Sequence, residues 1–376
     1  MLIRPRAGQA AKIKVVGVGG GGGNALSSMV AEGGIAGVEF IAINTDSQAL
    51  LANKASIKIQ IGENLTKGLG SGGDSEVGRQ AAEESRERIK EELQGADMVF
   101  LTCGEGGGTG TGASPLIAEL TKEMGILTIA VVTRPFEFEG TRRKISADDG
   151  INKLKEKVDT LIVVPNQKIL QVIDKKTSIL EAFKKIDEVL HQGVKGIAEL
   201  ITTPGLINVD FADVKSIMSN AGTALMGIGV ASGDKRALVA IKQAISSPLL
   251  DISIEGARGV LFNIVGGPDL TMTEVDEAAS IIAKTVDSDA EIIFGAVIDE
   301  KMLDQIKITL IATKFDNQRL KMFSFKRETA ANILVTEKKE QEVLITPTKS
   351  EDQEENFEEL LEEDSEIEIP AFLRKK

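Results

Sequence analysis

The sequence predicts an α/β protein with a doubly wound, mostly parallel sheet, a long central helix, a second α+β domain and a disordered acidic C-terminal tail. Two observations carry this prediction. Short β-branched runs alternate with helical stretches over the first 175 residues, which is the pattern of parallel strands joined by crossover helices. Ligands on such sheets bind at the carboxyl ends of the strands, and two glycine runs fall there.

The strands of the first domain are continuous apolar runs, as expected for strands that are buried on both faces. They are predicted at 12–18, 38–44, 96–103, 126–133 and 159–165, with helices at 24–33, 75–93 and 113–125. In the second domain, helices are predicted at 238–245 and 273–285, and strands at 259–266, 290–298 and 305–315.

The central helix is predicted from apolar residues that recur every three or four positions as far as Ile201. Thr177 or Ser178 is predicted to cap its start, with Glu181 completing a capping box from Ser178. At 1.5 Å per residue the helix is roughly 35–40 Å long, which fits a spine between two domains. The single histidine, His191, is predicted to lie at the surface or edge of this helix.

Domain boundaries follow from these patterns. They are a flexible N-terminus at 1–11, the doubly wound domain at 12–175, the central helix at 176–202, the α+β domain at 203–316, a disordered acidic linker at 317–365 and a terminal peptide at 366–376.

Composition excludes several classes of protein. The net charge is −13, but residues 351–369 carry eleven acids and no base, so the rest of the chain has a charge of only −2. The sequence has no cluster of basic residues of the kind that binds nucleic acid, and it has no apolar run long enough for direct membrane insertion. The single cysteine, Cys103, is predicted to be a small buried hydrophobic residue rather than a nucleophile.

Three glycine-rich stretches open or precede helices, at 17–22, 68–78 and 103–115. Bare backbone at the start of a helix lets N–H groups approach a phosphate closely. Three such loops around one sheet edge fit a ligand with several consecutive phosphates. The P-loop pattern G-x-x-x-x-G-K-[ST] does not occur.

An NAD-dependent oxidoreductase is the main alternative, because "GVGGGG" at 17–22 followed by Asp46 nearly meets the dinucleotide-binding fingerprint. The second phosphate loop and the lack of a histidine pair for hydride transfer weigh against it. A non-hydrolysing scaffold of the same fold is a second alternative.

Five motifs occur in one order: "GVGGGGGNA" at 17–25, "NTD" at 44–46, "GGGTGTG" at 106–112, "RPFEFEG" at 134–140 and "TPGLINVDFADV" at 203–214. Together they resemble the tubulin/FtsZ GTPase superfamily, in particular its bacterial cell-division branch, over roughly 12–316. The end of the chain, "EIPAFLRKK", is similar to the partner-binding tail peptide of that branch. Plasmid-segregating or archaeal shape-determining relatives remain possible, but the tail peptide favours the division branch.

The resemblance implies a GTPase that polymerises head to tail into the bacterial division ring, in the cytoplasm at mid-cell on the inner face of the membrane. Its cofactors would be GTP or GDP with Mg²⁺, which is held mainly through phosphates and water and not by side-chain ligands. Its partners would be further copies of itself, together with membrane-tethering adaptors and assembly regulators that bind residues 366–376.

The resemblance also implies the nucleotide-binding residues. The phosphate loops would be lined by Gly20, Gly21, Gly22, Asn24, Gly107, Gly108, Thr109 and Gly110. The terminal phosphate and the water around magnesium would be approached by Gly72 and Gly73. Glu139 would bind the ribose, and Arg143 would bind the phosphates. The base would be bound by Asn166, Phe183 and Asp187.

The guanine contacts can be checked on the helix. Phe183 and Asp187 are four residues apart and share one face. A carboxylate accepts hydrogen bonds from the N1–H and N2–H₂ groups of guanine, a pair that adenine lacks. The alternative is that Asp187 is a solvated acid at the edge of the helix.

Catalysis is assigned by the resemblance to Asn208, Asp210 and Asp213, which would position and polarise the attacking water. Asp46 and Glu105 are candidate general bases. For both, a role in maintaining the loop geometry or in binding the water around a metal ion is preferred. Residues 208–213 follow the central helix, so they would act on the GTP of a neighbouring subunit, and hydrolysis would require assembly. The residues alone allow an alternative, in which both acids are structural. Asp210 would cap a helix, and Asp213 would stabilise the positive end of the same helix.

Overall fold

The computed structural model describes residues 11–171, 173–174, 176–203, 205–247, 250 and 253–315. The predicted linker at 317–365, the terminal peptide at 366–376 and residues 1–10 of the predicted N-terminus lie outside the described residues. No helix within the described ranges is long and apolar enough to cross a membrane.

The described part of the chain contains ten strands and twelve α-helices. The strands are β1 Ile13–Val18, β2 Val38–Asn44, β3 Ile57–Gln60, β4 Met98–Gly104, β5 Leu127–Arg134, β6 Thr160–Pro165, β7 Gly222–Ser232, β8 Gly259–Gly266, β9 Glu291–Ile298 and β10 Gln305–Thr313. The helices are α1 Gly19–Ala31, α2 Ser47–Ala52, α3 Glu63–Thr66, α4 Ser75–Glu84, α5 Arg86–Leu93, α6 Thr109–Glu123, α7 Thr141–Lys155, α8 Asn166–Ile169, α9 Ile179–Thr202, α10 Phe211–Met218, α11 Arg236–Ile245 and α12 Met272–Thr285. A 3₁₀ turn spans Glu137–Glu139.

All ten strands form one sheet in the order β3-β2-β1-β4-β5-β6-β7-β10-β8-β9. The first seven strands in this order are parallel, while β10 is antiparallel to both β7 and β8, and β9 is parallel to β8. Strand order reverses between β1 and β4, where the chain turns from building one side of the sheet to building the other. This is the position at which doubly wound sheets bind ligands. The predicted α/β fold with its mostly parallel sheet is therefore confirmed.

Helices cover both faces of the parallel part. On one face, apolar residues of α1, α9 and α10 pack against the sheet in one core cluster. On the other face, a second cluster contains apolar residues of α4, α5, α6 and α7. Because strands β1 and β4–β6 are covered on both faces, their side chains are almost all buried, as the continuous apolar runs predict.

Several local details differ from the sequence-based expectations, including the starts of α1 and α6, which lie several residues before those predicted. The predicted helix at 75–93 is two helices, α4 and α5, separated at Ser85. Strands β3 and β7 were not predicted, because β3 has only four residues and β7 contains three glycines that weaken its strand pattern. The long helix begins at Ile179, and the capping box of Ser178 with Glu181 is confirmed.

The surface position predicted for His191 is wrong. Its side chain is buried, with the residue only 2% exposed, because α1 packs across this part of α9. Its Nδ1 lies 2.7 Å from a carboxylate oxygen of Glu32 at the end of α1. The prediction that Cys103 is a buried residue is confirmed.

Candidate functional site

A cavity of about 450 Å³ opens at the carboxyl ends of the parallel strands. Val18, Gly104 and Thr133 contribute the ends of β1, β4 and β5, and Asn166 directly follows β6. The cavity therefore lies at the reversal of strand order between β1 and β4, where the sequence places its glycine loops.

Two helix N-termini face this cavity. Helix α1 begins at Gly19, directly after β1, and α6 begins at Thr109, after the second glycine run. Neither helix has a side-chain cap or an acid in its first turn. The first N–H groups of a helix have no partner within the helix, and they lie at the positive end of its dipole. The two helices therefore present uncapped donors to an anion.

Gly20 and Gly107 line the cavity, and neither is required by packing. A Cβ atom added at either position would meet no protein atom within 4 Å. A side chain at Gly22 or Gly108, by contrast, would overlap backbone or side-chain atoms. The bare backbone at Gly20 and Gly107 thus fits a ligand that approaches the main chain closely.

Three hydroxyl groups join the loops on this side of the cavity. The Thr109 hydroxyl lies 2.7 Å from that of Thr45, which follows β2, and 3.0 Å from that of Ser71 in the third glycine loop. Thr109 and Ser71 both line the cavity. Neither Thr45 nor Ser71 was predicted as a site residue, although Thr45 directly follows a strand and Ser71 lies in a glycine loop.

Glu139 and Arg143 stand at the rim and form an ion pair of 2.5 Å. Glu139 also accepts a hydrogen bond from the backbone N–H of Phe136, at 2.9 Å. Arg143 is the more exposed of the two side chains. The carboxylate is held on two sides, so its orientation toward the cavity is fixed by the chain itself.

One face of α9 forms the opposite wall. Phe183, Ile186, Asp187 and Leu190 recur at three and four residues and all line the cavity. The Phe183 ring is held edge-on by Phe136, with the ring centroids 5.6 Å apart. Ile186 and Leu190 were not predicted as site residues, although they lie next to Phe183 and Asp187 on the same helical face.

Two polar groups at this wall lack partners among the described residues. Asp187 makes no hydrogen bond or ion pair there, and burial raises the pKa of its carboxyl to about 6. The Oδ1 atom of Asn166 is buried and also has no hydrogen-bond partner in the described part of the chain. Both are acceptors, so the wall is suited to a ligand that offers N–H donors.

Three predicted binding residues do not line the cavity. Gly22 instead packs against the backbone of Thr102 on β4, so its lack of a side chain serves the close approach of α1 to the sheet. Gly72 and Gly73 are exposed and follow Ser71 in the third glycine loop. The other predicted binding residues are brought together around the cavity, namely Gly20, Gly21, Asn24, Gly107, Gly108, Thr109, Gly110, Glu139, Arg143, Asn166, Phe183 and Asp187.

The three predicted catalytic residues lie elsewhere, in the segment between α9 and the first turn of α10. From Asp187 in the cavity wall to Thr202 at the end of α9 the helix extends about 22 Å. Asn208, Asp210 and Asp213 therefore do not reach the cavity of their own molecule.

The segment that carries them is held by the chain around it. Ile207 forms a β-bridge with Ala296 of β9, and Asn208 accepts a hydrogen bond from the N–H of Gly205 at 2.6 Å. Asp210 caps α10 by accepting from the N–H of Asp213 at 2.8 Å. All three predicted side chains are exposed, and the Asp213 carboxylate makes no hydrogen bond or ion pair with the described residues.

Within the described ranges, no group of three or more His, Cys, Asp or Glu side chains is placed to hold a metal ion. Asp46, a candidate base, is the N-cap of α2 and accepts from the N–H groups of Gln48 and Ala49. The hydroxyl groups of Ser71 and Thr109 are uncharged oxygen groups in the cavity lining, and Thr109 lies at the start of α6.

Two family models match the chain. The GTPase domain of the Tubulin/FtsZ family matches residues 12–174, and the C-terminal domain of the FtsZ family matches residues 222–316. A solved structure of an empty FtsZ dimer from M. jannaschii is 49% identical, with a TM-score of 0.78, over 81% of this chain and 88% of that one. CetZ2 from Haloferax volcanii, solved as a GTPγS-bound protofilament, is 21% identical with a TM-score of 0.70, over 86% and 99% of the two chains, and shares the fold.

Proposed function

The chain belongs to the Tubulin/FtsZ family of GTPases, and from that premise we propose that it polymerises head to tail into filaments of the division ring and hydrolyses GTP between adjacent subunits. One observation supports this proposal above the others. The cavity suited to a nucleotide and the exposed acids of residues 208–213 are separated by about 22 Å of helix in one molecule, so they can meet only across two molecules.

In the proposed complex, the first turns of α1 and α6 bind the phosphates through backbone N–H groups near Gly20, Gly21, Gly107, Gly108 and Gly110, with the Thr109 hydroxyl beside them. Asn24 and Arg143 complete the phosphate side, and Gly22 contributes through the packing of α1 rather than by contact. Gly72 and Gly73 lie beyond Ser71, on the side of the last phosphate. Mg²⁺, bound through phosphates and water, would neutralise part of the phosphate charge.

On the other side, Glu139 binds the ribose hydroxyls and Phe183 stacks on the base. Asp187 accepts from the N1–H and N2–H₂ groups of guanine, and Asn166 binds the same edge of the base. Adenine has no donor at N1, so the Asp187 carboxylate would meet an acceptor there. This arrangement gives the preference for GTP over ATP.

The residues between α9 and α10 would complete the neighbour's cavity. Asn208 and Asp210 are held by their own hydrogen bonds, whereas the Asp213 carboxylate is exposed and makes none with the described residues. Asp213 is therefore the best-suited group to accept a hydrogen bond from the attacking water. Hydrolysis then depends on positioning and electrostatics rather than on a covalent step.

Exposed apolar side chains near both regions support head-to-tail contact. Leu69, 85% exposed, and Phe138, 68% exposed, lie in segments that border the cavity. Leu206, 68% exposed, lies beside the predicted catalytic residues. Contact between unlike faces does not close on itself and produces filaments. The relative from M. jannaschii was solved as a dimer, which is consistent with self-association.

The remaining parts of the proposal concern the whole chain. We propose domain boundaries at 12–175, 176–202 and 203–316, followed by the acidic linker at 317–365. Residues 366–376 would bind membrane-tethering adaptors and assembly regulators. With such partners, the filament would lie in the cytoplasm at mid-cell, on the inner face of the membrane.

The test measures nucleotide preference and assembly together. Purified protein is supplied with GTP or with ATP plus Mg²⁺, and phosphate release and light scattering are recorded. GTP is expected to produce both signals and ATP neither. Equal hydrolysis of the two nucleotides, or hydrolysis of GTP with no scattering at any protein concentration, would contradict the proposal.

A further inference from the structure

Glu105 lies at the floor of the cavity, immediately after β4 and before the second glycine run. The residue contributes to the cavity lining, yet it is only 4% exposed. The Glu105 backbone N–H donates to the carbonyl of Thr133 on β5, at 2.9 Å, so its position is fixed by the sheet. A buried carboxyl group thus lies directly beneath the loop that faces the phosphates.

The Glu105 carboxyl group is enclosed by neighbouring parts of the chain. The thiol of Cys103 donates to its Oε1 atom at 3.3 Å. Its Oε2 atom is buried and has no hydrogen-bond partner among the described residues. Helix α7 passes the Oε2 atom at Gly150, where a side chain would overlap both that oxygen and Thr111. A glycine at 150 therefore leaves room for the carboxyl group.

Among the described residues, no cation is placed to neutralise Glu105. Arg134, at the end of β5, pairs with Asp148 of α7 at 3.0 Å, and Arg143 of α7 pairs with Glu139. The first turn of α6 contains no titratable group, and α1 approaches the end of β4 through Gly21. Asp74 of the neighbouring loop caps α4.

The remaining titratable neighbour among the described residues is the Cys103 thiol, on β4. Burial and the nearby Glu105 carboxyl raise its pKa, so the thiol stays protonated and acts only as a donor. Burial raises the pKa of Glu105 to about 7, and the side chains of Cys103 and Thr111, which lower it, oppose this shift only in part. The carboxyl group is thus close to half protonated at neutral pH before any ligand binds.

We propose that Glu105 is a proton-linked residue of the nucleotide site, and that a nucleoside polyphosphate binds tightly only when the Glu105 carboxyl is protonated. Binding then takes up a proton at Oε2, because Oε1 already accepts the Cys103 thiol. This inference rests on the proposed function, since it needs a phosphate-bearing ligand in this cavity.

The physical reason is repulsion between like charges at low dielectric. The phosphates of a bound nucleotide would lie over the 104–107 loop, and Glu105 lies beneath the same loop. An ionised carboxylate there would repel them, and little water is present to screen the repulsion. Nucleotide binding therefore raises the Glu105 pKa further, and nucleotide affinity falls as the pH rises through and above 7.

The probe is GDP, which binds without being hydrolysed. Calorimetric titrations from about pH 6 to about pH 9, each in two buffers with different heats of ionisation, measure both the affinity and the protons taken up. The proteins are the wild type, Glu105→Gln, and Glu119→Gln as a matched control. Glu119 lies on α6 and pairs with Lys157 away from this cavity.

The wild type and Glu119→Gln are expected to take up a fraction of a proton for each GDP bound. As the pH rises, their GDP affinity is expected to fall about tenfold for each unit by which the bound phosphates raise the pKa of Glu105. Glu105→Gln is expected to lose this uptake and slope. The terminal phosphate of the nucleotide titrates near pH 6, but it does so equally in all three proteins and cancels in the comparison.

A measurement on the wild type alone covers the case in which Glu105→Gln does not fold. Infrared difference spectra at neutral pH are expected to show a protonated carboxyl band that grows on GDP addition. Absence of that growth, or an unchanged pH slope in Glu105→Gln, would overturn the inference alone. Absence of GDP binding at every pH would overturn the proposed function and this inference together.

Discussion

Gly20 and Gly22 are separated by one residue in the first turn of α1, but only Gly22 packs so closely against the sheet that a side chain would not fit. A Cβ at Gly22 would overlap the carbonyl oxygen of Thr102, whereas a Cβ at Gly20 would meet no protein atom within 4 Å. The two glycines therefore serve different purposes, packing at Gly22 and ligand approach at Gly20.

The matched substitutions Gly20→Ala and Gly22→Ala separate these purposes. Gly20→Ala is expected to keep the wild-type melting temperature and to lose GDP affinity, because its methyl group occupies phosphate space. Gly22→Ala is expected to lose roughly 1–3 kcal/mol of stability, as overpacked sites do. Thermal unfolding and GDP titration check both. Unchanged GDP affinity in Gly20→Ala would contradict the phosphate assignment of this loop.

Asp187 gives the site a second pH dependence, opposite in sign to that of Glu105. Without a ligand, burial raises its pKa to about 6, so the carboxyl takes up a proton as the pH falls through 6. Guanine N–H donors favour the ionised form, so GDP binding lowers this pKa and releases a proton. The contribution of Asp187 to GDP affinity is therefore fully present above about pH 6, and it decreases about tenfold for each pH unit below that.

The measurement is GDP affinity across acidic pH in the wild type, Asp187→Asn and Glu188→Gln. Asp187→Asn is expected to bind more weakly at neutral pH, since an uncharged acceptor replaces a charged one, and to show no further loss on acidification. Glu188 pairs with Lys185 on the same helix outside the cavity, so Glu188→Gln is expected to match the wild type. An identical acid profile in Asp187→Asn would contradict the role of Asp187.

Asp213 lies in the first turn of α10, and the described residues make no hydrogen bond to its carboxylate. Asp213→Ala is expected to keep GTP affinity and to lose turnover by at least a hundredfold, as removal of one positioned polar group does in other enzymes. Its stability is expected to fall by less than about 1 kcal/mol, the contribution of an acid at a helix N-terminus.

The comparison variant is Asp276→Ala, which removes an exposed acid from α12. It is expected to bind and hydrolyse GTP like the wild type. Equal loss of binding and turnover in Asp213→Ala would argue against a division between a binding cavity and a separate catalytic segment.

Much of the parallel half of the fold can be predicted from the sequence, because its strands are continuous apolar runs bounded by glycine. Strand β2 has the predicted bounds, and β1, β4, β5 and β6 differ from prediction by no more than two residues. Strand β7 could not be predicted in this way, because its three glycines interrupt the run of apolar residues. The burial of His191 also depends on α1 packing across α9, a contact between residues far apart in sequence.

The site shows a similar division. Glycine loops and helical spacing are local signals, so the residues around Gly20, Gly107 and Asp187 can be selected before the fold is known. The contribution of Ser71 depends on a loop that folds back onto α6, and the surroundings of Glu105 depend on Gly150 of α7. Both contacts join residues that are far apart in sequence, so no local sequence pattern predicts them.

The central claim is that each active site is shared by two subunits. It is tested most directly by the GTP hydrolysis rate per molecule across protein concentration, with light scattering recorded on the same samples. We predict almost no hydrolysis where scattering is absent and a steep rise in the rate per molecule where filaments form. A constant rate per molecule, down to dilutions at which no filaments exist, would contradict the account.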